Sequence, residues 1–296
     1  MVDQTTAQFY DALAEHYHLI FEDWDKSIER QRGILDPILR EAAGRDSLKI
    51  LDCACGIGTQ AIGFAQSGHR VAACDVSTAA VARARREASL RSVDIEFRVA
   101  DMCSLACIES TDFDVVAAMD NALPHLSADE LARAARVLHL RLRPGGVLIA
   151  SLRDYDRLIL EKPAIQPPAF YRNERGRWFV HQVWDWVDDT GYVLHLYITT
   201  HFDRVWASHH FAGKYRCLLG PGWPLHSKPP VLRMCAGSCL KKAATTSQSC
   251  WLPSYKTAPS GGATGQAPAN DNVQCDGPAP SRPESQCASC EANSSR

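Results

Sequence analysis

The stretch ILDCACGIGTQAIGFAQSG, Ile50 to Gly68, joins a short apolar run ending in Asp52 to two glycines, Gly56 and Gly58, and then to a segment with helical spacing. With no Cβ on either glycine, such a turn lets a ligand come close to the backbone. The helix after it presents free N–H groups and the positive end of its dipole to a carboxylate or phosphate. Three chemistries compete for the stretch: a nucleotide-binding turn, a thiol or metal site at Cys53 and Cys55, and a plain strand-to-helix connection.

Outward from this turn the same grammar repeats. LKILD, HRVAACD, IEFRVAD, FDVVAAMD and GVLIASLRD are short apolar runs rich in β-branched residues, each closing on an aspartate. Helical patterns lie between them at Thr59–Gln66, Thr78–Leu90 and Ala128–Leu142, the last stopped by Arg143, Pro144 and Gly145, and another runs from Ser27 to Ala43. Alternation of this kind predicts an α/β fold, a Rossmann-like doubly wound parallel sheet. Ligands bind such sheets at the carboxyl ends of the strands, where Asp52, Asp75, Asp101 and Asp120 fall; each alone also reads as a cap or turn residue. From Phe170 to Phe211 the period changes to that of antiparallel strands, with DDTG as a hairpin turn. This predicts a small inserted antiparallel sheet that lids the rim, or one in which Trp178, Trp184, Trp186 and Trp206 pack a second small core.

The chemistry of the turn narrows the ligand. Asp75, twenty-three positions after Asp52, suits the two hydroxyls of a ribose. Gly56, Gly58 and Ala61 also satisfy the dinucleotide pattern G-x-G-x-x-A, so an NAD(P)-dependent oxidoreductase is an alternative. A pyrophosphate would be repelled by Asp52, whereas a cationic ligand with a ribose, such as S-adenosyl-L-methionine, would be welcomed. At Cys53 and Cys55 a closed metal site lacks a second pair of ligands, and no metal is expected. A thiol at a helix N-terminus is open to a lowered pKa, and small buried side chains are the third reading.

DCACGIGT, VAACDVS, RVADM and RPGGVL, in that order from about Ile50 to Leu152, resemble class I S-adenosylmethionine-dependent methyltransferases. More loosely, and over residues 9 to about 216, FYDALAEHYHLIFEDW, MDNALPHL, LRDYD and HQVWDW are similar to the glycine N-methyltransferase group. The resemblance implies that Asp52, Ala54, Gly56 and Gly58 surround the methionine portion of the cofactor, Asp75 the ribose, and Asp101 and Met102 the adenine. It implies that Val76 packs on the adenine ring and that Met119 and His125 lie in a cofactor-lining segment. Tyr10, Tyr17, Trp24 and Arg30 would close over it. Asn121 and Arg153 take the positions of substrate contacts, with Tyr155 orienting the acceptor. Arg153 precedes Asp154 and Asp156, so an ion pair competes with the substrate role. The implied reaction is a one-step methyl transfer to a small-molecule acceptor, an amine or amino acid of the glycine or sarcosine kind, leaving S-adenosyl-L-homocysteine. No covalent nucleophile is required, because alignment of the reactants supplies most of the assistance. A catalytically impaired methyltransferase remnant is the remaining alternative.

With 296 residues, 46% of them hydrophobic, the chain has enough apolar surface for a sizeable core, and its formal charge of −2 gives no bulk reason to bind nucleic acid or a membrane. The opening MVDQTTAQFYDALAEHY does not read as a secretory signal, and no apolar run approaches the roughly 20 residues of a membrane span. A cytoplasmic protein is expected, with homo-oligomerisation left open. Seven of the 12 cysteines lie from Cys217 onward, where Pro, Ser and Gly also accumulate. The expected plan is an N-terminal helical lid (1–45), a cofactor-binding core (46–155), an antiparallel insertion (156–216) and a tail (217–296) disordered from about Gly220, with incidental cysteines. The change falls where the resemblance calls for a helix and two closing strands, as a shift of reading frame would leave it, and it predicts an uncovered edge of the main sheet.

Overall fold

In the computed structural model, which describes residues 4–219 and the backbone of Val231–Cys235 and Cys239–Leu240, every apolar run named above forms a strand. The described residues belong to one unit, Met1–Tyr255. In chain order the elements are α1 (Thr6–Leu13), a 3-10 turn (Tyr17–Ile20), α2 (Trp24–Ala43), β1 (Lys49–Asp52), α3 (Thr59–Gln66), β2 (Arg70–Asp75), α4 (Thr78–Leu90), β3 (Ile95–Val99) and β4 (Phe113–Ala118). A second 3-10 turn (Leu123–His125), α5 (Ala128–Arg141), β5 (Leu142–Ser151), α6 (Tyr155–Glu161), β6 (Ile165–Asn173), β7 (Gly176–Trp186), β8 (Gly191–Phe202), β9 (Val205–Arg216), β10 (Val231–Cys235) and β11 (Cys239–Leu240) follow.

The main sheet runs β11-β10-β5-β4-β1-β2-β3, with β1 to β5 parallel and β10 and β11 antiparallel. Its central strands β1, β2 and β4 are buried on both faces, and all six residues of β4 are buried. Ile50, Ala73, Val115 and Ile149 pack with α2, α3 and α4 on one face. Their neighbours Leu51, Cys74, Val116 and Ala150 pack on the other with Leu138 of α5. This period of two with both sides apolar is why the runs read as continuous rather than alternating. From β1 the chain moves one way to β2 and β3 and later the other way to β4 and β5, so the crevice between β1 and β4 is the switch point at which ligands bind.

The helix ends are legible too. Asp23 caps α2 by accepting the Lys26 N–H, and Gly44 closes it in the left-handed conformation. Ser127 and Glu130 form a capping box on α5.

The second sheet is the antiparallel meander β6-β7-β8-β9. Asp203 and Arg204, both at positive φ (49° and 66°), make the two-residue turn between β8 and β9. Such a turn twists in the sense that the strands require. β6 has no counterpart among the expected strands. Pro167 and Pro168 hide it in the sequence, yet it is an edge strand whose register shifts between Gln166 and Ala169, the place where proline is tolerated.

Phe9, Leu13 and Leu19 enter the core of this sheet with Trp178, Trp184 and Tyr192, while α2 packs on the main sheet, so the N-terminal segment is divided between two cores. Trp178 Nε1–H donates to the Leu19 carbonyl (2.8 Å). Trp206, the fourth tryptophan of this region, is 55% exposed instead.

The expected disorder, the tail cysteines and any frame shift fall mostly outside the described residues. The backbone of β10 nevertheless pairs with β5 from Val231 opposite Ser151 to Cys235 opposite Val147, so the β5 edge expected to be bare is paired.

Gly56 and Gly58 both have positive φ, 52° and 96°. An added Cβ at Gly58 would stand 3.2 Å from Ile62 Cδ1 and 3.3 Å from Ala84 Cβ, whereas at Gly56 it meets nothing within 4 Å. Gly58→Ala should therefore lower stability by about 2–3 kcal/mol and Gly56→Ala by only about 1 kcal/mol. Urea unfolding of the two variants decides, and equal losses would mean that the α3–α4 contact does not constrain Gly58.

Candidate active site

A cavity of about 240 Å³ opens at the switch point, walled by the β1–α3 turn, the ends of β2, β3 and β4, the turn at Leu123–His125, and Thr5, Thr6, Ala7 and Tyr10 of the N-terminus. Of the cofactor contacts expected from sequence, Tyr17, Ala54, Gly56, Asp75, Val76, Asp101, Met102, Met119 and His125 line it.

Asp75 is held by backbone donors on both oxygens: Gly56 N–H at 2.8 Å to Oδ2 and Ser77 N–H at 2.9 Å to Oδ1. Burial raises its pKa above the usual carboxylate value in spite of these donors. The Gly58 N–H donates to the Cys55 carbonyl (2.8 Å), so the amides of both glycines are engaged within the protein.

The remaining expected contacts do not line the cavity. Gly58 faces Ile62 and Ala84. Trp24 Nε1–H donates to Thr59 Oγ1 (2.9 Å), and Thr59 itself lines the cavity. Arg30 is exposed on α2 and reaches Ser27 Oγ at 3.4 Å within its own helix. Asp52 is fully buried, with Oδ1 accepting Ala54 N–H at 3.4 Å and Oδ2 accepting nothing.

Nor do Asn121, Arg153 and Tyr155 line the cavity; they are joined to one another beside it. Asn121 Nδ2 donates to the Tyr155 hydroxyl (2.8 Å) and Asn121 Oδ1 accepts the Arg153 N–H (3.1 Å). The Arg153 guanidinium donates to the Tyr192 hydroxyl (2.6 Å) and lies over the rings of Trp184 (4.9 Å) and Tyr215 (5.3 Å). Asp154, the neighbour weighed as its ion-pair partner, instead caps α6 through the Arg157 N–H.

His125 is fixed by its two partners. A carbonyl only accepts, so Nδ1–H donates to Lys214 O (3.1 Å) and Nε2 accepts from the Tyr10 hydroxyl (3.0 Å). Burial pushes its pKa down to about 4, which keeps the ring neutral. It therefore ties α1 to β9 across the cavity mouth and has no free nitrogen to act as a base.

Sequence reasoning passed over Cys53, Cys55, Thr59 and Asp120 as lining residues. Both thiols are pushed up by burial, the opposite of the activated thiol considered for Cys55, and Cys53 Sγ–H donates to Ala117 O (3.1 Å). Among the described residues no group of three or more metal-binding side chains converges. Asp120 was legible as a rim aspartate; that it and not Asn121 faces inward was signalled only by the Asp-Asn pair, two residue types that tolerate left-handed φ. Among the described residues the wall carries Asp75, Asp101, Asp120 and Glu130 and no lysine or arginine.

Residues 50–146 match the family model described as a methyltransferase domain. That segment is similar to methyltransferase domains. Over 138 residues it is 30% identical to the glycine/sarcosine N-methyltransferase of Parasynechococcus marenigrum (46% of this chain, 48% of that protein). Over 106 residues it is 34% identical to the ubiquinone biosynthesis O-methyltransferase of Methylocella silvestris (36% and 40%). The chain thus spans about half the length of these curated relatives. Among solved structures, the sugar N-methyltransferase KedS8 from Streptoalloteichus aligns with a TM-score of 0.58 at 19% identity, over 74% of this chain and 85% of that one, a likeness of fold. The matched segment holds the β1–α3 turn and the strand ends of the cavity; Thr5, Thr6, Ala7, Tyr10 and Tyr17 of the N-terminal segment line it from outside that match.

Within the matched segment Asp52 sets a pH dependence. Burial pushes its carboxyl up to about 7, against the Ala54 amide and with the Asp75 charge adding to the rise. A folded-state pKa above the unfolded one means that the stability tied to the protonated acid is complete below about pH 4 and is lost as pH rises through about 7. Asp52→Asn removes that loss, so urea unfolding should find the variant gaining on wild type by up to about 3 kcal/mol between pH 5 and pH 8. A difference that stays constant across this range would refute the buried-acid account.

Proposed function

We propose that the protein is an S-adenosylmethionine-dependent methyltransferase acting on a small molecule, and that the atom methylated is the nitrogen of an amine or amino acid. The observation that carries the cofactor is Asp75, oriented by two amides in a cavity whose wall, among the described residues, has four acidic residues and no lysine or arginine. A paired acceptor of this kind suits a ribose diol, and an acidic wall suits a ligand with a net positive charge.

A pyrophosphate fits poorly on two counts. It would face four carboxyl groups, and the glycine amides that would cradle it donate to Asp75 and to Cys55 instead. Gly56 lines the cavity in a conformation that leaves the place of a Cβ empty, so the backbone is open to close approach. The residues present therefore fit S-adenosylmethionine. Asp75 would hold the ribose, Val76, Asp101 and Met102 the adenine, and Ala54, Gly56, Tyr17 and Met119 the methionine portion. Bound there, the cofactor supplies an activated methyl group on sulfur.

What the chain contributes is alignment and exclusion of water. Tyr10 and Tyr17 stack with centroids 6.3 Å apart, and with Thr5 to Ala7 they roof the cavity. The resemblance to the glycine/sarcosine enzyme supports nitrogen over oxygen, while the O-methyltransferase relative leaves the class of acceptor to experiment.

Adding S-adenosylmethionine or S-adenosylhomocysteine at 100 times its Kd should stabilise the full chain by about 2.7 kcal/mol, seen as a rise in melting temperature. Asp75→Ala should abolish that rise, and NAD(H) should give none. Stabilisation by NAD(H) alone would sink the proposal.

A further inference from the structure

We propose that Asp120 is the ammonium-binding group of this site, so that the methyl acceptor is an alkylammonium that enters with an N–H to donate; this rests on the methyl-transfer reading above. Among the described residues, the buried side-chain polar atoms without a partner are His18 Nδ1, Asp52 Oδ2 and Asp120 Oδ1. Of these three residues Asp120 alone lines the cavity. The other acids of the wall are supplied by the backbone: Asp75 by Gly56 and Ser77, Asp101 by Cys103, and Glu130 by Ser127. Asp120 Oδ2 accepts from Gln60 Nε2 (3.2 Å), which leaves Oδ1 as the acceptor for which the described residues provide no donor. A buried acceptor without a donor is costly, and the cavity is where a donor can come from.

The backbone is bent to put it there. Asp120 and Asn121 both adopt left-handed φ, 57° and 61°. Such conformations persist where surrounding structure imposes them. Ser151 imposes this one, accepting the Asp120 N–H on its hydroxyl (2.8 Å) and the Asn121 N–H on its carbonyl (3.1 Å). The side chain of Asn121 then points to Tyr155 and that of Asp120 to the cavity.

Topology assigns it to the acceptor. Across the rim the order is β5, β4, β1, β2, β3. The ribose and adenine positions lie at β2 and β3, so β4 is on the far side of the glycine turn from them. An acceptor entering there meets Asp120, Met119, Ala122 and His125.

The step balances as follows. The ammonium R–NH3+ donates an N–H to Oδ1 and gives that proton to the carboxylate, leaving R–NH2 and a neutral carboxyl. The nitrogen lone pair forms the N–CH3 bond while the bond from carbon to the sulfonium sulfur breaks, its electron pair passing to sulfur. The product leaves as R–NH2–CH3+, and the carboxyl proton passes to water. The groups acting on Asp120 are Asp52 at the end of β1, Arg153 after β5, Tyr17 of the N-terminal turn and Tyr215 of β9, with Gln60 of α3 as donor.

The test uses the full chain saturated with S-adenosylhomocysteine and titrated with methylammonium chloride, against tetramethylammonium chloride, which has the same charge and no N–H. Melting temperature and calorimetric affinity are the readouts. Methylammonium should bind and stabilise wild type, and tetramethylammonium should not. Asp120→Asn should weaken methylammonium about tenfold or more while S-adenosylhomocysteine affinity stays unchanged. Asp120→Ser repeats the measurement should the first variant fail to fold. No binding of methylammonium to wild type, equal response to the two cations, or unchanged methylammonium affinity in the variants overturns the proposal. So does loss of S-adenosylhomocysteine binding in Asp120→Asn, which would give the carboxylate to the cofactor's own ammonium. Failure of wild type to bind S-adenosylhomocysteine sinks the methyl-transfer reading instead, and the methylammonium titration without it then decides on Asp120 alone.

Discussion

The contact between the Gly56 amide and the Asp75 carboxylate organises the whole site. It ties the β1–α3 turn to the end of β2 and so fixes the mouth of the cavity. From the same carboxylate the other oxygen accepts Ser77 N–H at the start of α4, and the Ser77 hydroxyl donates to Asp11 of α1 (2.6 Å). Asp11 accepts the Ala79 N–H as well (2.9 Å). One buried acid thereby aligns the turn, starts a helix and, one residue further on, seats the roof. The same contact removes a turn amide from service to a phosphate. A turn whose glycine pattern fits a dinucleotide is made by this one hydrogen bond into a turn better matched to a ribose and a cation.

Burial of several carboxyl groups in one pocket is stable only under particular conditions. Desolvation, with repulsion from neighbouring carboxylates added, raises Asp52, Asp75 and Asp120, so each holds its proton more tightly than a free carboxyl does. A cation entering reverses that preference, and binding is thereby coupled to proton release. The surroundings avoid competing with it: the one imidazole in the wall is neutral, both thiols are protonated, and the roof is made of tyrosine hydroxyls and threonines.

The periodic parts of this architecture were legible in the sequence. Each apolar run closing on an aspartate became a strand, α3 and α4 have the expected bounds, and the aspartates fall on one rim. β6 was hidden by its prolines, which only an edge position with a register shift accommodates. Within the site, residue positions were readable and side-chain directions were not. Asn121 and Asp120 are adjacent, and a left-handed pair decides which of them faces the ligand. Arg153 stands beside two acids in sequence, yet its partners are rings on β7, β8 and β9 that arrive tens of residues later. Asp52 looked like the mouth of the turn, while the fold places it beneath the wall.

Arg153 shows how the added sheet reaches the chemistry without entering the cavity. Its guanidinium is clamped between Trp184 and Tyr215, with Tyr192 stacked on both at 4.6 and 5.5 Å, a geometry that holds a cation without neutralising it. An ion pair with Asp154 would have cancelled that charge; the aromatic clamp leaves it to act on what lies nearby. It opposes the rise that burial gives Asp120 and adds to the fall that burial gives His125, so one fixed cation acts on both groups in the direction of less bound proton. The antiparallel sheet therefore does more than cover the rim. By fixing where a positive charge sits, it adds a smaller bias to the larger effect of burial at Asp120 and His125, both of which follow β4.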